Sequence, residues 1–516
     1  MDRIGDGHLR QAEADDRAQQ LADSAQLAEL GYKQQLTRAV GLGQNFTVGF
    51  TYLSPIAGVY PLFAFGLATA GASFFWTIPV VLIGQFFVML SFSEVASQYP
   101  IAGGIYQWSK RLVGPRYAWM SGWLYTWALM VTVASITFSA NTYVAPLFGY
   151  QPTRWNTTGT AVIIIAVIAC INLLGVRRLA LFSIIGTVAE LVATAGLGLY
   201  LLLFHHHRSV TTVFHHQGVP GHGYLGAFLS AGLFSVWIFY GFEACGDIAE
   251  EVKDPSRKIP RAMRMTLGFG GLASALVTLG FLVAVPSIGA VISGDDANPI
   301  ATILQESVGT VGSKIALAII VFAFISAALS VQAMAVRLIY SYARDGMLVG
   351  SRILSNLNPT FHMPPGAVAV AAIIPAAVTL LPSATVARII TFAVVGIYLG
   401  YASVTLACLL GRSRGWKPSG AYNLGRWGKT VNVLALVYGL ATVVVLSIKT
   451  PAAGSGFFDR WLVPVSVLVV LALGLLYMAI FRPKEHIRED AVPDTVGEAF
   501  GMETTTRLES ARGALT

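Results

Sequence analysis

The chain has 516 residues, of which 55% are hydrophobic and 12% charged, with a formal net charge of +8 and a mean hydropathy of +0.65. A soluble domain carries roughly twice that charged fraction, so a water-soluble protein is excluded and an all-α polytopic membrane protein is expected. Residues 1–43 are polar, carry both signs of charge and lack an apolar core, so they read as a cytoplasmic tail and not as a cleaved signal peptide.

Apolar windows of about 19 residues predict spans over 46–67, 74–97, 117–138, 159–174, 179–204, 225–247, 265–285, 315–340, 367–381, 389–410, 431–448 and 462–481. About twelve spans, each about 20 residues long, can cross a bilayer core. The first contains Tyr52-Leu53-Ser54-Pro55-Ile56-Ala57-Gly58-Val59-Tyr60-Pro61, with two prolines and a glycine at mid-membrane depth. Glu94 lies near the inner end of the second span beside Ser91, Ser93 and Ser97, where a packing or gating contact is expected. Glu190 stands well inside the fifth span with no charged neighbour in sequence. Desolvation penalises the charged form of such a carboxylate, so it is read as a neutral hydrogen-bonding acid or a proton carrier.

The loop that follows holds six of the nine histidines: His205, His206, His207, His215, His216 and His222. Imidazoles at this spacing bind zinc or nickel, but no cysteine or carboxylate in the loop completes a ligand set, so no metal and no cofactor is assigned. The sixth span carries Trp237-Ile238-Phe239-Tyr240-Gly241-Phe242-Glu243, a carboxylate after a glycine that can interrupt the helix. It ends at Asp247 in a mixed-charge run through Glu250, Glu251, Lys253 and Arg261 at the membrane edge. Residues 482–516 form a second polar tail. Cys170, Cys245 and Cys408 all fall inside spans, which argues against a disulfide framework.

Proline removes a backbone donor and glycine tolerates unusual dihedrals, so the first and sixth spans are expected to break near 55–58 and near Tyr240 and Gly241. Freed amides and carbonyls at membrane depth are tolerated where they line an enclosed cavity. Two interrupted helices five spans apart are the signature of a five-plus-five inverted repeat with its site between the breaks. The expected division is 44–204 for the first repeat, 205–224 for the outer histidine-rich loop, 225–411 for the second repeat and 412–481 for two extra C-terminal helices with their preceding loop. Alternate loops hold Lys110, Arg111, Arg178, Lys253, Arg264, Arg337, Arg344, Arg412 and Lys429 among others. The remaining loops hold only Arg154, Arg208, Lys314, Arg388, Lys449 and Arg460. By the positive-inside rule both termini are cytoplasmic. The same asymmetry accounts for the net charge, so no nucleic-acid partner is expected.

Three stretches carry a family resemblance: Glu94 through Ser109, Gly241 through Arg261, and Ala343-Arg344-Asp345-Gly346-Met347-Leu348 with Pro364-Pro365-Gly366-Ala367-Val368. On these the chain resembles the amino acid, polyamine and organocation superfamily over nearly all of 44–481. The run from Leu112 to Trp123 is similar to its amino acid/choline transporter branch. The resemblance implies the five-plus-five repeat and a substrate site at Ser54, Ile56, Ala57, Gly58, Val59, Trp237, Phe239, Tyr240 and Gly241. The family's first-helix break reads G-S-G-I-F, of which Ile56-Ala57-Gly58-Val59-Tyr60 keeps only the second glycine. Trp237 and Glu243 match an aromatic gate and a pH-responsive acid of arginine/agmatine antiporters. Glu190 matches a position where a proton-coupled relative has a lysine in place of bound sodium, and Ser326 and Ser330 match hydroxyl ligands of sodium-coupled relatives.

The expected function is therefore a plasma-membrane secondary active transporter of an amine-bearing solute, an amino acid or GABA, driven by protons or by exchange, with sodium as the alternative ion. The alternatives are a choline or polyamine transporter and, from another class, a channel or substrate sensor. No enzymatic activity is expected, because the sequence contains no nucleotide-binding P-loop, no zinc motif and no nucleophile with its base.

Overall fold

The computed structural model describes residues 2–216, 223–448 and 457–483, and every element in it is helical apart from one isolated bridge between Val40 and Val252. The expectations for His222, Lys449 and residues 484–516 lie outside the described residues. Chain order begins with α1 (Asp2–Glu29), α2 (Leu42–Leu53), α3 (Pro55–Ala70), α4 (Thr77–Gln98), α5 (Gly104–Leu112), α6 (Pro115–Phe148) and α7 (Arg154–Leu173). It continues with α8 (Val176–Leu191), α9 (Leu197–Phe204), α10 (Tyr224–Ile238), α11 (Ala244–Asp247), α12 (Pro255–Ala284) and α13 (Ile288–Ser293). The last are α14 (Pro299–Arg344), α15 (Ser351–Leu354), α16 (Pro365–Thr379), α17 (Ser383–Ser413), α18 (Gly428–Ser447) and α19 (Phe457–Phe481).

Among the described residues, 10 helical segments are long and apolar enough to cross a membrane. Two shorter apolar helices, α10 and α16, stand where the sixth and ninth spans are expected. The tightest part of the bundle is α6, 78% buried over its most apolar window, packed along α14 and α17. By contrast α19 is only 17% buried over its window, and Ile163, Leu203, Val437 and Leu468 are each more than half exposed. Large apolar side chains facing outward on so many helices are stable only against hydrocarbon.

The first break falls at Ser54, one residue before the expected stretch. Pro55 disfavours helical dihedrals in the residue before it, and Ser54 sits in the left-handed region at φ 40°. Its amide still bonds the Phe50 carbonyl at 2.8 Å, closing α2, while Pro55 opens α3 without needing a donor. The second break spans Phe239 to Glu243, between α10 and α11, as expected. There Gly241 has φ +116°, a conformation open to glycine and strained for other residues.

The two breaks pack directly on each other. A Cβ on Gly58 would lie 2.6 Å from Ile238 Cγ1, and one on Gly241 would lie 2.7 Å from the Leu53 amide nitrogen. Glycine at both positions is what lets the backbones approach so closely.

Two expected features change. The fifth span runs unbroken over Val176–Phe204 as expected, but residues Val192–Gly196 between α8 and α9 form a π-helical turn. The eighth span is expected to end at Tyr340, but α14 runs for 46 residues to Arg344, with a kink at Gly309. Arg337 and Arg344 are therefore buried helix residues, 2% and 1% exposed, and not loop charges. The reason is that buried acids neutralise them, so the helix need not end where the apolar run does.

Gly241→Ala should destabilise the protein by about 1–3 kcal/mol, from the strained dihedral and the contact with Leu53. Gly268→Ala, where an added Cβ meets nothing within 4 Å on α12, should be neutral or slightly stabilising. Thermal melting in detergent checks both. Equal melting temperatures for the two variants would contradict the close approach.

Candidate functional site

A helix N-terminus leaves amides without partners, and one buried in a membrane must find acceptors within the protein. At α3 the acceptor is Glu190. Its carboxylate accepts the Ile56 amide through Oε2 at 3.1 Å and the Ser54 hydroxyl through Oε1. Ser54 Oγ in turn accepts the Ala57 amide at 3.0 Å, and the Ser54 carbonyl accepts the Gly58 amide at 3.1 Å. The amides of Ile56, Ala57 and Gly58 are thus all bonded, and the first is held by an acid from another helix. The positive end of the α3 dipole favours an anion in this place.

Glu190 is fully buried on α8, immediately before the π-helical turn. The turn is fastened on both sides. Thr194 Oγ1 donates to the Glu190 carbonyl at 2.5 Å, and the Tyr60 hydroxyl of α3 donates to the Ala193 carbonyl. One helical turn before Glu190, Gly186 admits Ser326, whose Oγ would lie 1.9 Å from a Cβ there. Ser326 also donates to the Phe182 carbonyl at 3.4 Å, and Ser330 shares a 2.7 Å hydrogen bond with Thr51 on α2. Ser326, Ser330 and Glu190 therefore line one junction of α2, α8 and α14.

The second break has its own carboxylate. Glu243 accepts the Gly241 amide at 2.9 Å and the Tyr125 hydroxyl of α6 at 2.7 Å, together with the Tyr401 hydroxyl of α17. Tyr401 also receives the Gly241 amide at 3.2 Å. The Trp237 indole crosses to the first break, donating to the Ala57 carbonyl at 3.1 Å. Its ring meets Tyr240 edge-on at 5.5 Å, and Tyr240 meets Tyr52 edge-on at 6.1 Å.

Most of the expected residues thus gather at the two breaks. Ser54, Ile56, Ala57, Gly58 and Trp237 meet at the first break, and Tyr240, Gly241 and Glu243 at the second. Val59 and Phe239 are fully buried, and the Phe239 ring lies toward Gly271 on α12. Glu94 bonds Arg412 and accepts the Leu424 amide at 2.8 Å, joining α4 to α17 as a packing contact.

Tyr125 and Tyr401, which hold Glu243, were not singled out from the sequence. Their signal was present, since a tyrosine hydroxyl inside an apolar span needs a partner. A set of buried ion pairs beyond the second break was also missed. Arg337 grips Glu251 with two bonds, Nε to Oε2 at 2.7 Å and Nη2 to Oε1 at 3.0 Å, and Arg344 Nη1 bonds Glu250 Oε2 at 3.0 Å. Asp345 receives Lys110 at 2.6 Å and the hydroxyls of Tyr32 and Tyr106 at 2.9 and 2.8 Å. Seven residues make about two helical turns, so Arg337 and Arg344 share a face of α14. The acids opposite them are consecutive in sequence, in a single 3-10 turn, Ala249–Glu251, too short for a period to reveal the match.

Removing Glu251 alone leaves Arg337 buried and unpaired, so Glu251→Leu should cost about 3–5 kcal/mol. Pairing it with Arg337→Met should recover most of that loss in a thermal melt. A double variant no more stable than Glu251→Leu would show that the pair is not the reason for the loss.

The sequence profile of the family described as amino acid permease matches residues 44–478. The amino-acid permease BAT1 of Arabidopsis thaliana is 26% identical over 496 residues, covering 88% of this chain and 94% of its own. Its homolog in Oryza sativa subsp. japonica is also 26% identical, over 82% of this chain and 86% of its own. The choline transporter of Saccharomyces cerevisiae is 25% identical, over 80% of this chain and 76% of its own. The profile spans most of the chain, so the chain belongs to the amino acid permease family, as a multi-pass helical membrane protein.

Proposed function

We propose that this amino acid permease family member is a plasma-membrane secondary active transporter of an amino acid or GABA, coupled to protons or working by exchange, in the amino acid/choline transporter branch. In this reading α10 and α16 complete a set of twelve spans. Residues 44–204 and 225–411 form inverted repeats, followed by two further helices, and both termini are cytoplasmic. Substrate is held by Ser54, Ile56, Ala57, Gly58, Val59, Trp237, Phe239, Tyr240 and Gly241, and coupling involves Glu190 and Glu243.

The observation that carries this reading is the seat of Glu190 on the Ile56 amide and the Ser54 hydroxyl. That helix N-terminus is a ready receptor for a substrate carboxylate, and the protein's own acid occupies it. Substrate and Glu190 then compete for the same donors. Protonation of Glu190 removes its negative charge and weakens its hold on the amide, so the α3 N-terminus opens to the substrate anion. The carbonyls at the end of α10, of which that of Val236 accepts the Tyr398 hydroxyl at 3.4 Å, present the opposite polarity, suited to an ammonium group.

A choline-like cation is the second reading. It is favoured by the edge-to-face aromatic set Trp237, Tyr240 and Tyr52, whose faces could receive a quaternary amine. A thermal-shift screen of purified protein against amino acids, GABA, polyamines and choline separates the two, because a bound ligand raises the melting temperature by linkage. Sodium remains the alternative coupling ion, with Ser326, Ser330 and Thr51 as hydroxyl ligands. An imposed sodium gradient is its test.

Glu190→Gln keeps the shape of the cap but cannot exchange a proton. The variant should fold and bind substrate, while its uptake in proteoliposomes should lose the acceleration that an inward pH gradient gives the wild type. An undiminished response would remove Glu190 from coupling and leave Glu243 as the next acid to test.

A further inference from the structure

The histidine-rich loop after α9 lacks a carboxylate of its own, but the fold supplies one from about a hundred residues further along the chain. Ligand atoms of His205, His207 and Glu306 all lie within 4.8 Å of one another. We propose that these three side chains form a binding site for a borderline divalent cation of the zinc class, with two imidazoles and one carboxylate as protein ligands.

The geometry is close to what such an ion requires. Ligands about 2.0–2.1 Å from a tetrahedral zinc stand about 3.3 Å from one another, and His207 Nε2 already lies 3.5 Å from Glu306 Oε2. The His207 and Glu306 side chains are 42% and 43% exposed, so both can turn to close the set. His205 adds a second observation: its Nε2 is buried with no hydrogen-bond partner. A buried polar nitrogen without a partner is costly, and a cation between the rings would supply one. The two rings stand edge to face, with centroids 5.3 Å apart.

The backbone around the three residues is fixed. His207 and Arg208 donate amides to the Val283 carbonyl at 2.8 and 3.2 Å, fastening the loop to the end of α12. The Tyr200 hydroxyl of α9 donates to the Ser307 carbonyl at 2.8 Å, holding the residue next to Glu306. Two imidazoles select a borderline metal over magnesium or calcium, which take oxygen ligands. With three protein ligands the fourth position is left to water. His216 is engaged elsewhere, with Ser73 at 3.1 Å and against Tyr224. A bound ion would tie the end of α9 to the first part of α14, ahead of its kink at Gly309.

The test is a calorimetric titration of the detergent-purified full chain, stripped with a chelator, with Zn(II), repeated with Co(II) to read ligand geometry from visible absorption. Wild type should show a tight site that His205→Ala and Glu306→Gln each weaken at least about tenfold. A variant with His206, His215, His216 and His222 all changed to Ala should keep it. Glu306 is exposed, so Glu306→Gln keeps the experiment decisive even if His205→Ala folds poorly. Unchanged affinity in Glu306→Gln, or loss of the tight site in the fourfold variant, would assign the metal to adventitious loop histidines and overturn the proposal.

Discussion

A backbone amide cannot be left bare inside a bilayer, and each interrupted helix here meets that constraint with a buried carboxylate. Glu190 takes the Ile56 amide at the start of α3, and Glu243 takes the Gly241 amide between α10 and α11. An unbonded amide in an apolar medium costs several kcal/mol, so each break is stable only while an acceptor is in place. Each acid is in turn held by hydroxyls, Ser54 for Glu190 and Tyr125 with Tyr401 for Glu243. Hydroxyls can hold a carboxylate in either protonation state, which full positive charges would not do as evenly. That choice of partners leaves neither acid fixed by a full positive charge.

Past the second break, the constraint is met differently. Glu250 and Glu251 are paired with Arg344 and Arg337, and the 3-10 turn that carries them is bonded to the N-terminal segment, Val40 amide to Glu251 carbonyl at 2.8 Å and Lys253 amide to Val40 carbonyl at 3.0 Å. Full charges face full charges here, and such pairs fix a geometry firmly while adding little net stability. One side of the α10–α11 break is therefore adjustable and the other locked. The backbone between them, Phe239 to Asp247, is the segment on which a change at one end can bear on the other.

Much of this was legible in the sequence. Ser54-Pro55 and Tyr240-Gly241 announced both breaks, because proline and glycine act locally and their effect does not wait for tertiary contacts. Isolated acids in apolar runs marked Glu190 and Glu243 for the same reason. What could not be read was partnership at long range. Nothing local joins Glu190 to Ile56, Tyr401 to Glu243 or Glu306 to His207. Arg337 and Arg344 looked like loop cations because hydropathy averages over a window and cannot see that acids on another helix neutralise them. The π-helical turn at Val192–Gly196 likewise has no proline to announce it. It is fastened by Thr194 and by Tyr60 of another helix.

The central claim is that Glu190 caps α3 until substrate replaces it, exchanging a proton as it does so. The most direct measurement is the change in bound protons when purified protein in weakly buffered detergent solution receives the compound that stabilises it most, followed with a pH indicator. The account predicts a proton change on substrate addition in the wild type that is absent in Glu190→Gln, although the variant still binds. The same proton change in both proteins would contradict it.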